Sequence, residues 1–392
     1  MRGRSACLFF CCMSVACERR GAASDNASAE PVTQLREIGV LREPDGIPYE
    51  ADPAGGAITH DGSVAFADNA NQQVVVFDTA GKQIHALGRK GQGPGEFEYV
   101  EAVFPITHDS LAVFDRQRQT MSFVVQSRIS PTTLAFHAWE FERNTGLRLV
   151  GRFKNGEWVA LRSAPRNYFV SGARSVIDTP VVVVGFPTSR PRELFKLAPR
   201  RMVDIMSAGV SYRTFLSALS PAIGAVCELG VVLVDTSGVK YLGTRGETIS
   251  SFPLPVSRVP VERLGGGRDG IVDRALYQAR SSPDAGSARM FLTDWASQVD
   301  SIMAQPSLDA EGRSWWPTFA ERGTAYVRVD HQGSVTGRFS ASRGPMLIGR
   351  QTYTAMGLDS TTQSLAFSIY RLPRNDTASA PVTGWCSGPF RY

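Results

Sequence analysis

Apolar and polar residues alternate in short runs along most of the chain, and Gly, Asn, Asp or Ser interrupts the runs about every eight to twelve positions. The stretch GVVLVDTSGVKYLGTRGETISSFPL at residues 230–254 reads as three successive strands, with turns at Thr236-Ser237-Gly238 and Arg245-Gly246-Glu247. Period-two runs of this length predict an all-β fold. The runs also recur as units: ITHDGSVAFAD at 58–68 is echoed by ITHDSLAVFD at 106–115, and VVVFDTAGKQIHALG at 74–88 by AYVRVDHQGSVTGRF at 325–339. Further turn-and-strand copies begin at Asn155-Gly156 and Glu311-Gly312. Each later half-unit has a strand, Asp-x-x-Gly and another strand, and the glycine suits the positive φ of a tight hairpin.

A unit of about four strands repeating at about 45 residues is a propeller blade. The predicted fold is therefore a six-bladed β-propeller of four-stranded blades. The blades are expected at 55–97, 98–140, 145–185, 186–256, 306–342 and 343–372, the last completed by an N-terminal strand. That strand, VTQLREIGVL at 32–41, is expected to lie beside SLAFSIYRL at 364–372 and close the ring, which removes a free sheet edge. Residues 257–305 read as an insertion. Within it, Phe291, Trp295, Val299 and Ile302 share one helical face, so a short amphipathic helix is predicted over 288–304, its stripe packing on the β body.

The stretch GRKGQGPGEF at 88–97 invites two readings, a phosphate cradle or a loop that turns a corner. A Walker A loop requires Gly-x4-Gly-Lys-Ser/Thr running into a helix, and neither follows here. The stretch instead falls between the outer strand of blade one and the inner strand of blade two. It is read as an inter-blade crossing, with Phe97 anchoring the return. The longer run DGSVAFADNANQQVVVFDTAGKQIHALGRKGQGPGEF at 61–97 resembles the NHL-type repeat of six-bladed propeller proteins that several bacterial phyla export or anchor by a lipid. Gly-Arg-x-Gly-x-Gly-Pro-Gly-Glu-Phe looks like that family's most recognisable stretch. The resemblance covers about 32–372, strongly in blade one and loosely after it. It implies the fold and says almost nothing of a ligand.

The first residues differ in kind. Met1-Arg2-Gly3-Arg4 is a positive n-region, and ACLFFCCMSVA at 6–16 is an apolar stretch too short to span a bilayer. Residues 1–17 resemble a lipoprotein signal in placing Ala16 before Cys17, with Ser14 where Leu is usual. Cys17 is the expected lipidation site; a non-lipidated signal cleaved nearby is the other reading. Residues 18–31 are expected to form a flexible tether and 373–392 a C-terminal tail. The expected location is the periplasm or the cell surface, with the lipid as the contact to the membrane. Outside the signal only Cys227 and Cys386 remain, as a pair or as two free thiols.

The net charge of +5 comes from 42 basic and 37 acidic residues without a basic run, so nucleic acid is not an expected partner. His60 and His108 occupy equivalent blade positions beside Asp61 and Asp109, a weak candidate for metal binding or proton transfer. The plainer reading makes them solvated turn residues. Arg116 and Arg118, with Arg162 and Arg166 in the next blade, are candidates for a basic patch on one face, against ordinary surface charge. Trp315 and Trp316 are adjacent in a strand and should point to opposite sides, one into the inter-blade core and the other available for sugar stacking. No catalytic set and no cofactor is assigned. The expected function is a binding or scaffolding module for a protein or glycan partner. The alternative is a propeller hydrolase, lactonase or lyase with calcium or zinc in its channel.

Overall fold

The computed structural model describes residues 32–41, 51–59, 61–107, 110–125, 128–139, 147–162, 172–197, 200–207, 210–215, 222–227, 230–235, 238–256, 259–263, 267–276, 289–290, 293, 296–297, 301–302, 306–309, 312–319, 324–341, 347–348, 352–358, 365–372 and 386–387. It is a six-bladed β-propeller. The chain opens with β1 (Thr33–Gln34) and β2 (Arg36–Leu41). Blade one is β3 (Ala51–Ile58), β4 (Val64–Asp68), β5 (Gln73–Phe77) and β6 (Gln83–Leu87). Blade two is β7 (Val100–Thr107), β8 (Ser110–Asp115), β9 (Thr120–Val125) and β10 (Arg128–Ala135). Blade three takes β11 (Arg148–Arg152) and β12 (Trp158–Arg162), omits β13 (Gly172–Asp178), and continues with β14 (Val181–Gly185) and β15 (Arg192–Lys196).

Next, β16 (Arg200–Ser207) and β17 (Val210–Phe215) join β13 in a separate three-stranded sheet. Blade four is β18 (Ala222–Cys227), β19 (Gly230–Asp235), β20 (Gly238–Gly243) and β21 (Thr248–Phe252). After β22 (Val259–Pro260), helix α1 (Gly267–Leu276) and β23 (Ser301–Ile302), blade five is β24 (Ser307–Leu308), β25 (Ser314–Phe319), β26 (Thr324–Val329) and β27 (Val335–Ala341). Blade six is β28 (Leu347–Ile348), β29 (Thr352–Leu358) and β30 (Leu365–Arg371), completed by β2; β31 (Cys386–Ser387) returns to blade four.

The ring closes as the pattern predicts. Strand β2 pairs antiparallel with β30, Arg36 opposite Arg371 and Leu41 opposite Phe367, and β1 adds in parallel to the outer edge of blade five. The fourth blade differs from the expected 186–256. Val184 pairs with Arg192 and Val181 with Lys196, which gives 192–196 to blade three, while Val203 pairs with Ser175 outside any blade. The first is a local hairpin that the expected boundary at 185/186 cut in two, whereas the second joins strands that are distant in sequence, which turn spacing does not record.

Alternate residues of each strand face opposite neighbouring blades, so both faces of a blade become core. Trp158 and Ala160 pack towards blade two among Phe104, Phe114 and Phe136, whereas Val159 and Leu161 pack towards blade four with Val231. Blades one and two share Val74, Phe97 and Val103; blades four and five share Val234, Tyr241 and Trp316. Trp315, Tyr326 and Phe339 of blade five meet Tyr353 and Tyr370 of blade six. Ile369 and Ile38 of blade six meet Phe66 and Phe77 of blade one, which completes the circle.

Among the described residues, one hairpin chemistry recurs six times. The amides of Gly62, Gly81, Gly156, Gly246, Gly312 and Gly333 each donate to the carbonyl three residues back, and each of these glycines has positive φ. Such a three-residue loop needs a left-handed residue before the strand resumes. In the insertion, α1 was not legible, because GRDGIVDRAL has little apolar stripe. Arg289, Met290, Thr293, Ala296 and Ser297 are helical, but the helix stops short of Ile302. Ile302 pairs with Val259 in a two-residue ladder at the base of the insertion. Phe291, Trp295 and Val299 lie outside the described residues.

Candidate functional site

The strand order fixes two ends of the channel. In blade two, Val100 opens the inner strand opposite Asp115, so Glu101 and the turn at 116–119 belong to one end. In blade three the inner strand opens at Arg148, opposite Leu161. The hairpin glycines Gly156 and Gly246 lie at the opposite end.

The glycine stretch reaches the first end as a crossing, and its own side chain fills it. Phe97 is buried between blades one and two. Glu96 turns its carboxylate back over the loop, where it accepts from the Gly93 amide at 2.8 Å and from Arg89 Nε at 2.8 Å, with Arg89 Nη2 at 2.7 Å. The Gly93 amide, then the Arg89 guanidinium, hold the Glu96 carboxyl below the usual glutamate range. An internal anion therefore occupies the place that a phosphate would take. The fold explains the glycine at 88: its φ is +88°, and a Cβ there would overlap the Phe97 ring.

Two turns at this end share an Asp-x-x-x-Gln pattern. Asp68 accepts from the Ala70 amide and from the side chains of Asn71 and Gln73. Asp115 accepts from the amides of Glu98, Tyr99 and Arg118. Burial pushes the Asp115 carboxyl above its ordinary range, a shift that these amides and the nearby Arg118 reduce without cancelling. Gln72 and Gln119 both take positive φ, and Gln72 Oε1 accepts from the Val100 amide at 3.3 Å, tying blade one to the start of the next inner strand.

Beside these turns lies Glu101, only 5% exposed, with Arg116 Nη1 and Arg148 Nε each 3.5 Å from its Oε1. A carboxylate taken out of water costs several kcal/mol, roughly, unless it is paired. Two cations from two blades supply the pairing here and leave the trio at net +1 by side-chain type. Arg116 and Arg148 are 28% and 36% exposed, so each guanidinium bridges the buried carboxylate and the solvent. Tyr99, 40% exposed, is tied to Arg116 by the bond from the Arg116 amide to its carbonyl. The arrangement can hold an anionic group by charge-assisted hydrogen bonds.

The sequence-derived candidates divide. Arg116 belongs to this cluster, and Arg118 Nη1 donates to the Glu96 carbonyl at 2.9 Å, bracing the crossing loop. Arg162 is ion-paired with Glu193 at 3.6 Å. Trp315 and Trp316 do point to opposite sides, but both are buried, one against blade six and the other against blade four. Neither offers a ring to a sugar: Trp315 Nε1 donates to Asp309 and its ring stacks on Phe339, because both faces of a blade are covered. His60, His108, Arg166 and Cys17 lie outside the described residues. Asp61, beside His60, is held by Thr59 and Ser63 within its own turn. Among the described residues no group of three His, Cys, Asp or Glu converges as a metal site. Sequence reasoning passed over Glu101 and Arg148. The available signal was a carboxylate within VEAVFPIT, an inner strand whose neighbours are apolar.

Residues 58–144 match the sequence profile of DUF5128, a family described as a 6-bladed beta-propeller. The strand order, the six inter-blade cores and this match define the class of the chain as a six-bladed β-propeller. The sequence matches none of the curated proteins. Similar solved structures include a protein from Bacteroides fragilis NCTC 9343 described as exported, 12% identical, covering 89% of this chain and 98% of that one, with a TM-score of 0.45. A member of the duf4221 family from Bacteroides vulgatus is 9% identical, over 86% and 97%, with a TM-score of 0.47. Virginiamycin B lyase from Staphylococcus aureus is 11% identical, over 87% and 99%, with a TM-score of 0.40. At these identities the likeness concerns the fold alone.

Proposed function

We propose that the protein is an exported binding module, tethered by a lipid on Cys17 in the periplasm or at the cell surface. It docks a partner protein, through the partner's acidic side chains, at the end of blades two and three. The observation that carries this reading is the pair Arg116 and Arg148, held by buried Glu101 and half open to solvent. Exposed Tyr99, joined to Arg116 through its carbonyl, supports a protein partner, because Tyr and Arg are, with Trp, enriched among the residues that dominate protein interfaces. The export half rests on the signal-like segment at 1–17. No helix among the described residues is long and apolar enough to cross a membrane. The blades act as a rigid frame, and the arginines are positioned before a partner arrives, which lowers the ordering cost of docking.

The test is calorimetric titration of the purified chain at low salt with an oligoglutamate peptide and, separately, with an oligogalacturonate. Oligoglutamate should bind and weaken as salt is added. Binding of the uronate alone would move the partner to an acidic glycan, and binding of neither would overturn the docking site. About one tightly held calcium or zinc per chain, found by elemental analysis, would favour the metal-enzyme alternative instead.

A further inference from the structure

Cys227 and Cys386 are the cysteines that lie outside residues 1–17, and the fold sets them opposite each other. Cys227 is the last residue of β18, the inner strand of blade four. Strand β31 adds to the inner edge of β18, antiparallel, with Cys227 in register with Cys386 and Val226 with Ser387. The pairing is not a product of sequence proximity, since the chain completes blades five and six before it returns. Residues directly opposed in an antiparallel ladder have Cα atoms about 4.5–5.5 Å apart. That spacing lies within the roughly 4.4–6.8 Å that a disulfide spans. A slip of one residue would have put Cys386 out of register.

We propose that Cys227 and Cys386 form a disulfide that fastens the C-terminal tail to the inner strand of blade four. The oxidant is a disulfide-bearing compound or protein of the oxidising compartment. One cysteine thiolate attacks the oxidant's disulfide and forms a mixed disulfide, releasing the first oxidant thiolate. The second cysteine thiolate then attacks the first cysteine's sulfur and releases the other. Two electrons pass to the oxidant, and the two cysteine protons, exchanged through solvent, end on its two released sulfurs, which leave as thiols. The bond encloses blades five and six in a covalent loop and supplements the β2 closure with a second one. Because Cys227 ends its strand while Arg148 begins the equivalent strand of blade three, the staple sits away from the Glu101 cluster. Its formation in the cell rests on the export part of the proposed function, and its geometry does not.

The test begins with full-length chain produced in a bacterial host with residues 1–17 in place, denatured without reductant, alkylated with iodoacetamide and digested for mass spectrometry. The expected result is a linked peptide pair containing Cys227 and Cys386, with neither cysteine alkylated until reductant is added. A parallel sample of folded, reduced chain is incubated with oxidised glutathione, and the same linked pair should form there. Glutathione mixed disulfides on both cysteines, or full alkylation after that incubation, would overturn the proposal. A linked pair in vitro with free thiols in the sample produced in cells would uphold the geometry and refute the export reading. Cys386→Ser should leave Cys227 open to alkylation and speed proteolytic loss of the tail by roughly tenfold; continued protection of Cys227 in that variant would also count against the pairing.

Discussion

Glu96 and Glu101 belong to one loop-to-strand segment, and each has arginine beside it for a different reason. Glu96 is half-buried and closes its own loop; Glu101 is buried and draws one cation from its own blade and one from the next. The carboxylate titrations at both ends follow from such local chemistry. Burial opposes ionisation of Asp61, but hydrogen bonds from Thr59 and Ser63 outweigh it and its carboxyl is lowered, as is that of Glu96. Both therefore add stability that is present above their ordinary values of 3.8 and 4.5 and is lost as pH falls through their lowered folded values. Asp115 has the opposite sign: its contribution is full below 3.8 and disappears as pH rises through its raised folded value. Carboxyl-carbon NMR titration should place Asp61 and Glu96 below those ordinary values and Asp115 above; ordinary midpoints at all three would refute the hydrogen-bond account. None of these signs is legible in sequence, since Asp61 and Asp115 both stand at turns and differ only in what the fold places around them.

At the scale of elements, most of the architecture is written in short-range pattern. The Asp-x-x-Gly hairpins, the closing role of residues 32–41 and the crossing at 88–97 all follow from turn chemistry and strand alternation. What failed was decided at long range. Ile302 fits a helical stripe, yet it ends in a ladder with Val259; the 200–215 hairpin looks like part of a blade, yet it pairs with β13. The Trp315-Trp316 pair shows the same limit within one strand. Alternation correctly separates the two rings, but in a propeller both sides of a strand are interior. The crossing loop gives a direct test of the structural reading of its glycines. Gly88→Ala forces a side chain onto a φ of +88° and into Phe97, and should lower stability by about 1–3 kcal/mol in urea denaturation. An unchanged midpoint would mean that the loop is not held against Phe97 as described.

For the whole molecule, six buried seams and the β2 closure make a ring whose ends are displayed by a rigid frame, so function depends on what each end presents. The fold could be read from the repeats, and Arg116 was singled out with it. Glu101 and Arg148 were not, because their meeting depends on adjacent inner strands sharing one direction and one level. The most direct measurement is the affinity of the full-length chain for oligoglutamate at low salt. It should be compared with Arg116→Ala/Arg148→Ala and with Arg192→Ala/Arg245→Ala, which removes equal charge at the hairpin end, all first shown to be folded by thermal melting. The account predicts at least about a tenfold loss, near 1.4 kcal/mol, in the first double variant and little change in the second. Equal affinity in all three proteins, or equal loss in both variants, would contradict a docking site built on Glu101.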